Sequence, residues 1–203
     1  MCDSYPCKLN FGQQQEIKMS LINNINRKLI HERNIQCRGY LRDDGLWDVE
    51  AHLTDEKMHS MHSVERGEIV AGDKIHDMWL RLTVDETLLI HHAVASTEMA
   101  PYSICHGANP QYHKLVGKKI APGWNLMVKK LFLGVNGCTH LTELLGVIAT
   151  VAIQTIFPYR SMQEIDTSEP RKLTPGLANS CHGYNTKGEI IARFWPDLET
   201  SDE

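Results

Sequence analysis

Cys37-Arg38-Gly39-Tyr40-Leu41-Arg42-Asp43-Asp44-Gly45-Leu46-Trp47-Asp48-Val49-Glu50-Ala51-His52-Leu53-Thr54 decides the fold class. Two runs with period-two alternation flank Asp43-Asp44-Gly45, and an Asp-Gly pair between such runs marks the tight turn of a β-hairpin. Trp47, Val49, Ala51 and Leu53 share one face of the second strand; Asp48, Glu50 and His52 share the other. That polar face either lines a site or is simply solvated.

Working outward, residues 55–73 are polar and read as a long connection carrying His59 and His62. Lys74 to Val84 is a third strand, with His76, Met78, Leu80, Leu82 and Val84 on one face and Asp77, Trp79, Arg81 and Thr83 on the other. His76 heads the apolar face, as a core histidine or as a ligand at its rim. Asp85-Glu86 turns the chain into a fourth strand, Leu88 to Thr97, and Glu189 to Trp195 is expected to add a last one. Between these, Asn109-Pro110 and Pro122 start short helices. The predicted architecture is α+β: an antiparallel β-sheet with helices packed on one face.

The longest apolar segment opens at Gly137-Cys138-Thr139-His140-Leu141-Thr142-Glu143 and predicts a core helix to about Ile156, shorter than a membrane span. Cys138 sits at the helix entrance, where free N–H groups favour a thiolate; the plainer alternative is a small core residue. His140 and Glu143 are three apart on the first turn. The 11 histidines are numerous for 203 residues, yet no C-x-x-C or H-E-x-x-H spacing occurs. Cys105-His106 follows the fourth strand, and Cys181-His182 repeats the dipeptide in a glycine-ended loop after residues 158–180.

Hydrophobic residues are 42% and charged residues 23%, as in a globular protein, and the net charge of −4 gives no general attraction to phosphate. Nucleic acid and membrane are therefore not expected partners; a small molecule is. Six scattered cysteines without a secretory pattern suggest a cytoplasmic protein. Residues 1–34, with Ile17, Leu21, Ile25 and Leu29 spaced by four, read as a peripheral arm suited to homo-oligomer contacts or, equally, as a partly disordered extension; 35–197 form the single α+β domain and 198–203 an acidic tail.

Gly45-Leu46-Trp47-Asp48-Val49-Glu50, Ile75-His76-Asp77-Met78-Trp79 and Gly137-Cys138-Thr139-His140-Leu141-Thr142-Glu143-Leu144 together resemble a bacterial family catalogued only as a domain of unknown function. More distantly, the pattern is similar to the U-type iron–sulfur scaffold proteins of the NifU amino-terminal class. That resemblance implies antiparallel strands followed by helices, with ligands near His76 or Asp77, at Cys105 and at Cys138; Lys74 stands where that family has its first cysteine. The leading expectation is a small metal-dependent lyase or hydrolase. Zinc or iron would be held by His76, Cys105, Cys138, His140 and His182, with Glu50, Asp77 or Glu143 moving a proton. The alternative is a metal or iron–sulfur carrier with a protein partner. Metal-free nucleophilic catalysis by Cys138 with His140, and a purely structural protein, rank below these.

Overall fold

A computed structural model describes residues 25–163, 173, 176–196 and 198. The Ile17 and Leu21 part of the expected arm, about half of the 158–180 connection and nearly all of the acidic tail lie outside the described residues. Strands β1 (His31–Leu41), β2 (Trp47–Lys57), β5 (Lys74–Val84) and β6 (Ile90–Met99) form one antiparallel sheet in the order β1-β2-β5-β6. The short pair β3 (Met61–Ser63) and β4 (Gly67–Ile69) is a separate ladder within the β2–β5 connection. The α+β architecture is thus observed. Residues 31–34, assigned to the arm by sequence, pair with β2 and belong to the sheet.

The β1–β2 turn forms where Asp43-Asp44-Gly45 placed it. Gly45 has φ +81°, a left-handed conformation that glycine adopts without penalty, and Asp44 accepts a hydrogen bond from Leu46 N at 3.3 Å. At the β5–β6 turn Leu88 takes φ +68°, which is unfavourable for a side chain of its kind. Asp85 holds that turn: its Oδ1 accepts from Thr87 N and Oγ1, both at 2.8 Å, and from Leu89 N at 3.1 Å, while Oδ2 pairs with His91 Nε2 at 2.9 Å. Burial pushes the Asp85 carboxyl up, but the His91, Thr87 and Leu89 bonds outweigh it and hold the pKa at about 2. A depressed folded-state pKa means stabilisation that is present above the ordinary carboxylate range and lost as pH falls toward 2. Asp85→Ala is expected to lower stability by about 1 kcal/mol at pH 7, the solvent-screened worth of such a turn. In denaturant melts the gap to the native chain should close between about pH 4 and pH 2.

One face of the sheet is covered by helices. Trp47, Val49, Ala51 and Leu53 on β2, with Met78, Leu80, Leu82 and Val84 on β5, meet Leu141, Leu144, Leu145, Ile148, Ala152 and Ile156 of α2 (Thr139–Gln163). Each of these large side chains contributes roughly 1.5–3 kcal/mol by leaving water. Helix α1 (Trp124–Phe132) packs beside α2, where Trp124 Nε1 donates to Leu145 O at 3.1 Å. The 3-10 turns of Ser103–Leu115 lie along β6 and insert fully buried Tyr112 between α1 and the entrance of α2. Its ring stacks on Phe132 at 4.6 Å; its hydroxyl donates to Cys138 O at 2.9 Å, accepts from Cys138 N at 3.2 Å and meets Thr142 Oγ1 at 2.8 Å.

Two elements depart from the sequence expectation. Helix α2 does not end near Ile156 but continues through Pro158 to Gln163. The donor that proline removes is offset by packing, since Tyr159 meets Trp47 edge-on at 5.3 Å. By length and composition the whole helix could cross a membrane, but seven of its residues lie buried in this core. Residues expected as a last strand form helix α3 (Glu189–Phe194) after a turn at Gly188. Ile190/Phe194 and Ile191/Trp195 are spaced by four, so the same residues satisfy a helical period.

Candidate metal centre

The apolar stripes of the sheet change character at one end. On β2 the core-facing alternation Trp47, Val49, Ala51, Leu53 continues to Asp55, and on β5 it begins at His76. These two residues are register partners. On β1 the same face presents Arg33, the register partner of Asp55, and His31 beyond it. Ile75 is an extra residue between the β5 partners of Asp55 and Glu56, a bulge of the kind that re-aims side chains at sites. The start of α2 covers this corner, with His140 on its first turn and Glu143 just after it.

Asp55 is the hub. Its side chain is only 2% exposed, and it faces Arg33 through two parallel bonds, Nε to Oδ1 and Nη2 to Oδ2, both 2.7 Å. His76 Nδ1 lies 2.9 Å from Oδ2, His140 Nε2 3.7 Å from Oδ2 and His31 Nε2 3.3 Å from Oδ1. The His76 and His140 rings are 3.8 Å apart. One donor atom from each of Asp55, His76 and His140 lies within 4.8 Å of the other two, so the group is able to hold a metal ion; among the described residues it is the one such group.

Burial pushes the Asp55 carboxyl up, yet the Arg33 bonds and charge, helped by His76, leave it below the ordinary value. Burial also pushes His76 and His140 below the usual imidazole range. For His76 the charge of His140 adds to this and Asp55 opposes it; for His140 Arg33 adds and Asp55 opposes. Near neutral pH the arrangement is an ionised carboxylate beside two uncharged imidazoles. Those are the protonation states that a divalent cation requires.

The donor set passes a chemical test of fit. His76 Nδ1 and Asp55 Oδ2 now share a proton, and an ion would take that proton's place. The carboxylate's further lone pairs remain available to Arg33, which fixes its orientation as outer partners of metal ligands do. Cys138 Sγ lies 3.8 Å from His140 Nδ1 and 4.0 Å from Met78 Sδ, outside the three-donor group but against the ring nitrogen turned away from Asp55.

The other residues singled out from sequence are distributed as follows. His76 and His140 come together as described, and Glu143 reaches the corner by pairing with Arg33 Nη1 through Oε2. Cys105 packs half-buried against the core from the Ser103–Leu115 turns, and His182 is exposed in the turn before α3; neither joins the group. Glu50 and Asp77 point to the opposite face of the sheet. There Glu50 meets Arg81 at 3.6 Å, while Asp77 is held by His52 Nε2 and Lys74 Nζ, each at 2.6 Å, with His52 stacked on Trp79 at 3.9 Å. Asp55, Arg33 and His31 were not singled out from sequence.

Residues 31–154, more than half of the chain, match the family described as Protein of unknown function (DUF2889), a span that begins at His31 and includes Arg33, Asp55, His76 and His140. No curated protein and no solved structure matches the chain. With its four-stranded sheet, the greater part of its core helix and the whole Asp55 corner inside the matched span, the chain belongs to the DUF2889 family of proteins of unknown function.

Proposed function

We propose that the protein is a small metal-dependent enzyme of the lyase or hydrolase type, with zinc or ferrous iron held by Asp55, His76 and His140. The observation that carries this reading is a nearly inaccessible carboxylate shared by two imidazoles whose donor atoms already lie within 4.8 Å. Two imidazoles and one carboxylate suit zinc in sites that keep a position open, and equally suit ferrous iron. Bound there, such an ion would polarise a substrate oxygen or activate water.

The surrounding residues take complementary roles. Arg33 locks Asp55 in place, and Cys138 steadies His140 through Nδ1. Of the three carboxylates expected to move a proton, Glu143 is the one at this corner and is about half exposed, so it is the proton acceptor. The metal or iron–sulfur carrier remains the alternative. It calls for several thiolates in one place, and among the described residues no cysteine belongs to the three-donor group. Free Cys37, Cys105, Cys138 and Cys181 suit the reducing cytoplasm.

Elemental analysis of protein purified without chelator tests the reading. About one zinc or iron per chain is expected, reduced at least tenfold in both His76→Ala and His140→Ala and largely kept in Cys138→Ala. Full occupancy in both histidine variants would end it.

A further inference from the structure

Arg33 is used unevenly. A guanidinium carries five N–H donors: one on Nε and two on each Nη. The Nε/Nη2 edge is spent on Asp55, while the outer Nη1/Nη2 edge carries a single carboxylate oxygen, Glu143 Oε2. Two N–H groups, one on each Nη, therefore have no partner among the described residues, although the side chain is only 29% exposed. Glu143, at 46%, is the more exposed member of the pair and stands near the start of a helix, just past its first turn, rather than in the sheet. The protein's own carboxylate thus occupies part of a planar fork shaped for two carboxylate oxygens.

We propose that this outer edge of Arg33 binds the carboxylate of a small organic acid, which displaces Glu143. The acid carries a second oxygen donor, such as a neighbouring hydroxyl, that faces the Asp55–His76–His140 group. Asp55 Oδ2 touches Arg33 Nη2 on one side and His76 Nδ1 on the other, so one small molecule spans both subsites. The carboxylate contact stands without a metal; the hydroxyl contact rests on the metal reading above. Displacement has a mechanistic consequence. Paired with Arg33, the Glu143 carboxylate is engaged through Oε2, and the arriving acid releases it beside the bound molecule, coupling recognition to the residue placed above as the base.

The test uses the full chain and lactate as the probe, with propane-1,2-diol as the same molecule lacking the carboxylate. In metal-free protein the Arg33 Nε–H resonance should shift saturably with lactate and not with the diol. Glu143→Gln, which removes the competing charge at an exposed position, should tighten lactate about three- to fivefold, the worth of a partly exposed ion pair. Arg33→Lys, which keeps the charge but not the fork, should weaken it. In cobalt-loaded protein lactate should also alter the visible spectrum, and at lower concentration than it saturates the metal-free chain.

Equal responses to lactate and diol, no Arg33 shift, or an unchanged affinity in Glu143→Gln would overturn the proposal, even if cobalt binds and the metal reading survives. A lactate-specific Arg33 shift in a chain that takes up no cobalt would keep the carboxylate subsite and overturn the metal reading instead.

Discussion

Asp55→Ala is expected to abolish metal uptake and to lower the stability of the metal-free chain by about 2–3 kcal/mol at pH 7. Removing one partner of a buried ion pair costs about 3–5 kcal/mol, and the partial exposure of Arg33 brings that down. Against a total of about 5–15 kcal/mol this is a large loss. Asp55→Asn separates the two effects: the amide keeps the shape and one acceptor for Arg33, so part of the stability returns while metal binding does not. The acid profile follows from the same groups. The Asp55 pKa is lowered in the fold, so its contribution is present above about pH 4 and is lost as pH falls through the folded value. His76 and His140 are also lowered, so the fold must accept protons it binds poorly once pH drops below about 6.5. Denaturant melts of the native chain should therefore show acid loss in two stages, with the lower one much reduced in Asp55→Ala. A single stage common to both chains would mean that the carboxylate is not what the corner is built around.

How far this corner can be read from sequence depends on what each residue needs. His76 and His140 stand out because each breaks a local pattern: one heads an apolar stripe, the other sits in the first turn of the core helix. Asp55 had the same kind of signal, since alternation from Trp47 through Leu53 carries on to it, but a reading that ends the strand at Thr54 places it in a polar connection. Arg33 and His31 could be assigned only after β1 was extended back to His31. Even then their meaning depends on cross-strand register, which pairs residues 22 positions apart and leaves no mark in local composition. The repeated Cys-His dipeptides failed for the converse reason. Similarity along the chain carries no distance, and Cys105 and His182 end up on elements that do not reach the corner. The sheet itself was far more legible, because its two longer hairpins announce their turns with Asp-Gly and Asp-Glu, whereas Glu189–Phe194 satisfies both periods and needed its tertiary setting to decide.

Register also explains why a single hydrogen at one backbone position matters. Gly39 lies on the helix-covered face of β1, opposite Val49, at the place where α2 crosses the sheet edge. A Cβ there would stand 2.2 Å from Thr155 Oγ1, 2.7 Å from its Cγ2 and 2.8 Å from its Cβ. Turning about χ1 moves the Thr155 Oγ1 and Cγ2 but leaves its Cβ at 2.8 Å, so relief requires β1 and α2 to separate. Gly39→Ala is therefore expected to lose about 1–3 kcal/mol, despite the gain that alanine brings by restricting the unfolded chain, and Gly39→Val more than about 3 kcal/mol. Thr155→Ala should recover part of the loss in a double-mutant cycle, because it removes the two closest contacts and leaves the third. The effect should extend to the metal centre, since β1 carries Arg33 six residues away on the same face and α2 carries His140; Gly39→Val should bind metal more weakly without touching a ligand. If Gly39→Val melts like the native chain, or Thr155→Ala leaves its loss unchanged, then close approach of α2 to β1 is not what sets the position of His140 over Asp55.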